Sequence, residues 1–329
     1  MKPSQPSQAK YLQENDISQK CRDLLPSLPH EKGWITPSLY QYQGFWVAPK
    51  LLNGVLACQD NFRVQETDIL LITAPKCGTT WLKAILFCLS TRGRYSGSMQ
   101  QHPLLTQSPH DLVPFLELKL YFGQEIPNLT SLPSPRLFAT HLPYQSLPQS
   151  VKDSGCKLVY LCRNPKDTFV SLWHFANKLR SKETGGMPLG ECLDAFCQGV
   201  SPFGPYWDHV QGYYKVSLEM PDRALFLRYE DMKEDPHAHV KRLADFLGCP
   251  FGEQELRDGT VDGIVRMCSF DSLSMLEVNK SGRLSTGQET KSYFRKGDVG
   301  DWVNHMTVEM GERVDRVMQE KMHGSGLKL

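Results

Sequence analysis

The chain has 329 residues, with 37 Lys and Arg against 36 Asp and Glu, for a net charge of +1. That balance excludes a strongly basic nucleic-acid binder by bulk charge but leaves room for a local basic pocket. At 40% hydrophobic and 22% charged residues, the composition is that of a globular protein long enough to bury its own core without metal or disulfide staples. No apolar run reaches the roughly 20 residues of a transmembrane helix. The start MKPSQPSQAKYLQEND has neither the apolar stretch of a secretion signal nor an Arg-rich transit character, so a cytoplasmic protein with no membrane partner is expected. The ten cysteines form no CxxC pair and no zinc-ligand spacing. They read as free thiols in a reducing compartment, with no metal.

Residues 1–20 are polar with two early prolines and predict a mobile tail. Residues 21–329 then form one domain. The stretch 24–46, LLPSLPHEKGWITPSLYQYQGFW, is rich in aromatics, Pro and Gly and predicts irregular structure docked on the core. A helix is predicted over 48–59. At 68–74, DILLITA is apolar without alternation, as suits a strand buried on both faces. A loop follows at 75–80 and a helix at 81–89. Short strands are predicted at 136–140, 157–162 (KLVYLC) and 224–229 (ALFLRY). Asn164-Pro165 supplies an N-cap and first-turn proline for the helix after the second of these. Asp235-Pro236 opens another helix, to Leu247, that Gly248 ends. Strands alternating with helices predict an α/β fold with a central parallel sheet flanked by helices. The polar stretch 277–294 predicts a long surface loop, a length that is usually functional or disordered.

The most informative stretch is Ala74-Pro-Lys-Cys-Gly-Thr-Thr-Trp81, between a strand and a helix. Such a turn aims backbone N–H groups and the positive helix end at one spot, a ready anion site. Lys76 adds a charge, and Thr79 and Thr80 add hydroxyls. The lysine precedes the glycine and no GK[ST] follows, so this P-loop-like strand-loop-helix is not a Walker A motif. Arg163 ends a buried parallel strand, where α/β ligands normally sit. Ser171 lies eight residues on, inside the following helix, and the spacing alone does not bring the two together.

PKCGTTWLKAI resembles the 5′-phosphosulfate loop of the cytosolic-type sulfotransferases. YLCRNPKDTFVSLWHF, residues 160–175, resembles their 3′-phosphate segment, and YFRKGDVGDW, residues 293–302, their C-terminal nucleotide segment. The order and spacing agree from about residue 25 to the C-terminus. The EKGW, YQYQGFW and SPHDLVPF stretches are most similar to the plant branch. The resemblance implies transfer of a sulfonate group from 3′-phosphoadenosine 5′-phosphosulfate (PAPS) to a small-molecule hydroxyl, without metal. It implies that Lys76, Gly78, Thr79 and Thr80 hold the phosphosulfate. Arg163, Ser171, Arg295, Lys296 and Gly297 would bind the 3′-phosphate. Trp81 and Phe270 would sandwich the adenine, and Tyr229 and Ser269 would contact the nucleoside. A donor with several clustered anionic groups needs several cations, and arginine suits bidentate phosphate contact.

Phe138-Ala-Thr-His-Leu-Pro143 matches the segment with the family's catalytic histidine, which makes His141 the expected general base. Histidine suits the role because its ordinary pKa lies near 6.5. Many animal members carry a lysine where this chain has Ala139, a residue that helps bind the sulfonate. Lys76 is then the obvious cation from these two segments expected near the transferring group. Acceptor pockets are mostly apolar, and Phe45, Tyr144 and Phe175 are the candidate lining residues, with Tyr42 and Trp46 beside them. The loop 277–294 is a candidate lid. The family's dimer motif is matched at Thr307, Val308 and Glu312, but Val303 stands at its lysine position, so a monomer or weak homodimer is expected. Two other readings are open: a small-molecule kinase on the same strand-loop-helix, which should show GK[ST], and a non-catalytic nucleotide-binding homologue, which should lack Lys76 or His141. Flavonoids, hydroxysteroids such as brassinosteroids, hydroxyjasmonates and desulfo-glucosinolates are all candidate acceptors.

Overall fold

A computed structural model describes residues 17–95, 101–123, 125–180, 185–327 and 329. Four strands, β4 (Ile69–Thr73), β5 (Leu137–Thr140), β6 (Lys157–Cys162) and β7 (Ala224–Arg228), form a parallel sheet in the order β5-β4-β6-β7. In β4 all five residues, ILLIT, are buried. That is why its apolar run shows no alternation: both faces are covered. Leu71 pairs with Ala139 on one side and with Val159 on the other, and Val159 pairs with Leu225. Alternate residues then feed two cores. Leu70, Ile72, Phe138, Leu158 and Tyr160 face one side, and Leu71, Ala139, Val159, Leu161 and Leu227 the other.

The first core is closed by helices α2 (Pro49–Asn61), α4 (Pro165–Leu179) and α5 (Tyr206–Glu219). The second is closed by α3 (Thr79–Tyr95), α6 (Pro236–Phe246) and α7 (Thr260–Met267). Asn164 caps α4 as expected, its side chain accepting the Lys166 N–H at 3.0 Å. The chain leaves β4 for β5 on one side and returns to β6 on the other. The order therefore reverses between β4 and β6, and ligands bind at such a point in α/β sheets, at the carboxyl ends of the strands.

The structure differs from the sequence reading at several places. The 24–46 stretch is not irregular. It contains a small antiparallel sheet, β1 (His30–Lys32), β2 (Ser38–Tyr42) and β3 (Phe45–Val47). Tyr42 pairs with Phe45 across a two-residue turn in which Gln43 and Gly44 both have positive φ, 51° and 85°, the geometry of a tight hairpin. The stretch is tied to the body of the protein by Trp34, whose buried indole N–H donates to the Val200 carbonyl at 3.0 Å. Helix α1 (Gln19–Leu24) starts inside the expected tail, capped by Ser18, and residues 1–16 lie outside the described residues. The polar stretch 277–294 holds a helical turn, Glu277–Lys280, a bridge between Arg283 and Glu289, and a 3-10 turn, Thr290–Tyr293. The Thr290 hydroxyl pins it, with its one proton shared between the Val278 and Gly282 carbonyls at 2.8 and 2.9 Å.

Candidate active site

The turn from β4 into α3 is strained in a way its residues explain. Lys76 has φ 71° and Gly78 φ 93°. A Cβ added at Gly78 would lie 2.7 Å from Tyr229 Cδ2 and 3.1 Å from Leu161 Cδ2, so only glycine lets the loop close over β6 and β7. The 17-residue helix α3 then points its first N–H groups, which have no intrahelical partners, into the cavity at the sheet's carboxyl edge. That cavity encloses ≈ 330 Å³ and is lined by Lys76, Gly78, Thr79, Thr80, Trp81, Arg163, Ser171, Tyr229, Ser269, Phe270, Arg295, Lys296 and Gly297. Every residue expected at the donor site therefore meets in one place, including Ser171, which spacing alone left unconnected to Arg163.

The cavity is built for an anion. The Lys76 ammonium sits 4.0 Å from the Phe175 ring centre. Burial first, then the positive Arg163 and Arg295, lower its pKa to about 7. The Arg163 guanidinium lies 4.7 Å over the Tyr229 ring and donates to the Asp298 carbonyl at 2.7 Å. Its carboxylate neighbour Asp167 is 3.7 Å away. The Nε–H groups of Arg163 and Arg295 are both buried without a partner among the described residues. Orphaned buried donors of this kind fit phosphate oxygens that complete them. Arg295 and Lys296 are otherwise engaged by Asp301, at 2.5 and 2.7 Å. Burial alone would raise the Asp301 pKa, but Lys296, Arg295 and Asn304 hold it well below the usual carboxylate range.

Beside the cations lies an aromatic platform. Trp81 packs edge-on against Tyr229, with ring centres 5.4 Å apart, and Phe270 against Phe294 at 5.9 Å. The Tyr229 hydroxyl donates to the Gly297 carbonyl at 2.7 Å. A Cβ on Gly297 would stand 2.6 Å from Phe270 Cδ2, so glycine is needed for the C-terminal segment to seat against that ring. Flat rings flanked by arginines suit a nucleotide base and its phosphates.

His141, at the end of β5, faces the same cavity. Its Nδ1 is 2.7 Å from the Thr73 carbonyl. A carbonyl only accepts, so Nδ1 carries the proton and Nε2 keeps the lone pair. Burial lowers its pKa to about 3, despite the Thr73 carbonyl, which acts to raise it. The ring is therefore neutral at physiological pH, with its Nε2 lone pair unprotonated. Its backbone N–H donates to Glu117 Oε1 at 2.8 Å, and the Thr140 hydroxyl donates to Glu117 Oε2 at 2.8 Å. Glu117 lies in a π-helical turn, Leu116–Leu120, a local widening found often at functional sites.

Three groups are missing from the sequence reading: Glu117, Lys83 and His110. Lys83 is buried on α3, with its Nζ 3.5 Å from the Phe115 ring centre and 3.3 Å from His110 Nδ1. His110 Nε2 lies 2.9 Å from the Thr80 hydroxyl. A polar chain thus runs from the core to the turn between β4 and α3. Apolar side chains also line the cavity, among them Ile35, Leu51, Phe115, Leu172, Phe175 and Phe203. Of the three candidate lining residues, Phe175 is on the cavity wall. Phe45 and Tyr144 are not on that wall. Phe45 is 2% exposed and packs edge-on against His209, and Tyr144 packs against Tyr213. Tyr42 donates to Gln59 instead, and Trp46 is core. Proximity in sequence to His141 or to the aromatic stretch does not decide which face a ring takes.

The family model described as the sulfotransferase domain matches residues 66–326. Over 319 residues the chain is 48% identical to cytosolic sulfotransferase 12 of Arabidopsis thaliana, spanning 97% of this chain and 96% of the relative. It is 45% identical to cytosolic sulfotransferase 13 of the same plant over 328 residues, 100% and 99% of the two chains. Among solved structures, an Arabidopsis thaliana sulphotransferase superposes with a TM-score of 0.76 at 40% identity, covering 95% and 98% of the two chains. A mouse sulfotransferase complexed with PAP superposes with a TM-score of 0.67 at 27% identity, covering 87% and 95%. Among the described residues no helix is long and apolar enough to cross a membrane.

Proposed function

This chain belongs to the sulfotransferase family, as a PAPS-dependent enzyme similar to its plant cytosolic members, and from that premise we propose that His141 is its general base and a hydroxylated, largely apolar small molecule its acceptor. One observation carries the reading: His141 is held by the Thr73 carbonyl as the Nδ1–H tautomer, with its lone pair in the cavity that Lys76 and the α3 N-terminus also line. The donor, when bound, supplies an activated sulfonate that transfers by in-line displacement at sulfur. His141 Nε2 takes the acceptor's hydroxyl proton. Lys76 and the first N–H groups of α3 stabilise the phosphate oxygen that leaves. Arg163, Ser171, Arg295, Lys296 and Gly297 hold the 3′-phosphate, Trp81 and Phe270 flank the adenine, and Tyr229 and Ser269 contact the nucleoside. The catalytic work is positioning and fixed charge. The residues in place need no metal, and the 277–294 segment, through Leu284, Thr286 and Gln288 on the cavity wall, acts as a cover over it.

The apolar acceptor wall selects ring-bearing or lipid-like hydroxyl compounds, the class that includes flavonoids, hydroxysteroids and hydroxyjasmonates. We place the enzyme in the cytosol, as a monomer or weak homodimer. The test is a transfer assay with radiolabelled donor against such a panel, run without metal. His141→Ala is expected to lower kcat by roughly 100-fold while leaving the calorimetric affinity for PAP (adenosine 3′,5′-bisphosphate) unchanged. Full turnover in that variant would remove His141 from the chemistry.

A further inference from the structure

Behind the aromatic platform, away from the reacting groups, two cysteines from distant parts of the chain meet. Cys88 on α3 and Cys268 at the end of α7 have their sulfurs 3.6 Å apart. Both are buried, and Cys268 is also on the cavity wall, next in sequence to Ser269 and Phe270. His102 completes the cluster. Its Nδ1 accepts the Leu104 N–H at 3.3 Å, so its proton is on Nε2, which lies 3.7 Å from the Cys88 sulfur. Cys88 is thus offered two hydrogen bonds, from the Cys268 thiol and from His102, and both favour its thiolate. They pull its pKa below the ordinary thiol value even though burial works the other way. The other buried thiols with a shift, such as Cys58 and Cys162, are pushed up by burial.

We propose that Cys88 and Cys268 form a reversible disulfide that closes the nucleotide end of the cavity, so that a hydroperoxide oxidant and the nucleotide oppose each other at this site. In the step, the Cys88 thiolate attacks a hydroperoxide oxygen. The O–O bond breaks, one water leaves from hydrogen peroxide, and Cys88 becomes a sulfenic acid. The Cys268 sulfur then attacks the Cys88 sulfur, a second water leaves, and two thiols and one peroxide have become one disulfide and two waters. The two sulfurs must close from 3.6 Å to about 2.05 Å. Cys268 is the residue just before the platform, so that movement draws the end of α7 towards α3 and carries Ser269 and Phe270 with it. Phe270 is already packed closely against Gly297, where a single added carbon would stand 2.6 Å from its ring. A nucleotide that holds Phe270 in place resists the closure, and the closure weakens the nucleotide by the same factor.

The inference rests on the nucleotide reading of the cavity, and the experiment separates the two. The full-length protein is treated with hydrogen peroxide with and without PAP, its remaining thiols are alkylated after denaturation, and peptides are mapped by mass. The expected result is a Cys88–Cys268 linkage that PAP slows, a PAP Kd raised by about tenfold, and recovery with dithiothreitol. Cys88→Ser should bind PAP normally and lose the response. Cys88→Ala serves the same purpose if the serine variant is unstable. Two separately alkylated cysteines after stoichiometric peroxide, an unchanged Kd in the disulfide form, or a response that survives in both variants would each overturn the proposal. A reduced protein that fails to bind PAP would instead overturn the nucleotide reading, while the linkage map still decides whether the pair is a redox site.

Discussion

Lys76 sits in a backbone conformation that side chains avoid, with φ 71°, and its pKa is lowered to about 7 by burial and by two arginines. Both features make sense for a residue meant to meet an anion. The strained turn aims its ammonium at the cavity, and the surrounding cations leave the site short of negative charge. The sign of the consequence follows. A bound phosphate favours the ammonium and raises its pKa, so nucleotide binding takes up a proton wherever the free protein has lost one. Affinity is full below pH 7 and falls as pH rises through 7, by up to about tenfold per unit for one proton. Titration calorimetry with PAP between pH 6.5 and 8.5 reads this directly. Lys76→Arg, whose guanidinium keeps its charge, is expected to flatten the profile. A slope that persists in that variant would assign the proton to another group.

At the scale of elements, the site depends on a segment that the sheet does not hold. The stretch carrying Arg295, Lys296 and Gly297 is anchored by the first turn of α4. Asp167 Oδ2 accepts the Gly300 N–H at 2.7 Å and Oδ1 accepts the Trp302 N–H at 3.0 Å, and Arg163 grips the Asp298 carbonyl beside them. Asp167→Asn keeps one acceptor and loses the other. The expected loss is about tenfold in PAP affinity, from one buried hydrogen bond to a charged group, with the fold intact by circular dichroism. Wild-type affinity in that variant would mean the segment is held elsewhere. This anchoring also explains what was legible in the sequence. Lys76 to Trp81 and Arg163 each lie within a few residues of a strand end, so a local motif places them. The strands β4, β6 and β7 announce themselves by unbroken apolar runs. Glu117 and Lys83 gave no such signal, because their partners are 24 and 27 residues away and a buried polar pair has no periodicity. The small β1-β2-β3 sheet was hidden for a related reason. Its turn uses Gln43 at positive φ, where Asn or Asp would have marked a hairpin.

For the whole molecule, neutral histidines in the interior set the acid limit of stability. Burial lowers the His141 pKa to about 3 and that of His209 to about 4, and holds His110 well below its ordinary value. His209 links the sheet to the site, with its Nδ1 2.9 Å from the Tyr160 hydroxyl and its Nε2 2.9 Å from the His141 carbonyl. In the unfolded chain these rings titrate near 6.5. Their folded pKa values are depressed, so their contribution is complete above 6.5 and is lost as pH falls towards their folded values. Below 6.5 the unfolded chain binds more protons, and each ring costs about 1.4 kcal/mol per pH unit. Asp301, held low by its cations, adds to the loss at still lower pH. Glu117 works the other way, since burial raises its pKa and the folded form keeps that proton longer. The histidines outnumber it, so the urea midpoint is expected to fall between pH 7 and pH 5, steeply enough to shift by several kcal/mol. A midpoint unchanged over that range would mean that the buried rings take up protons within the fold. The acid limit of stability would then have to come from groups other than the buried histidines.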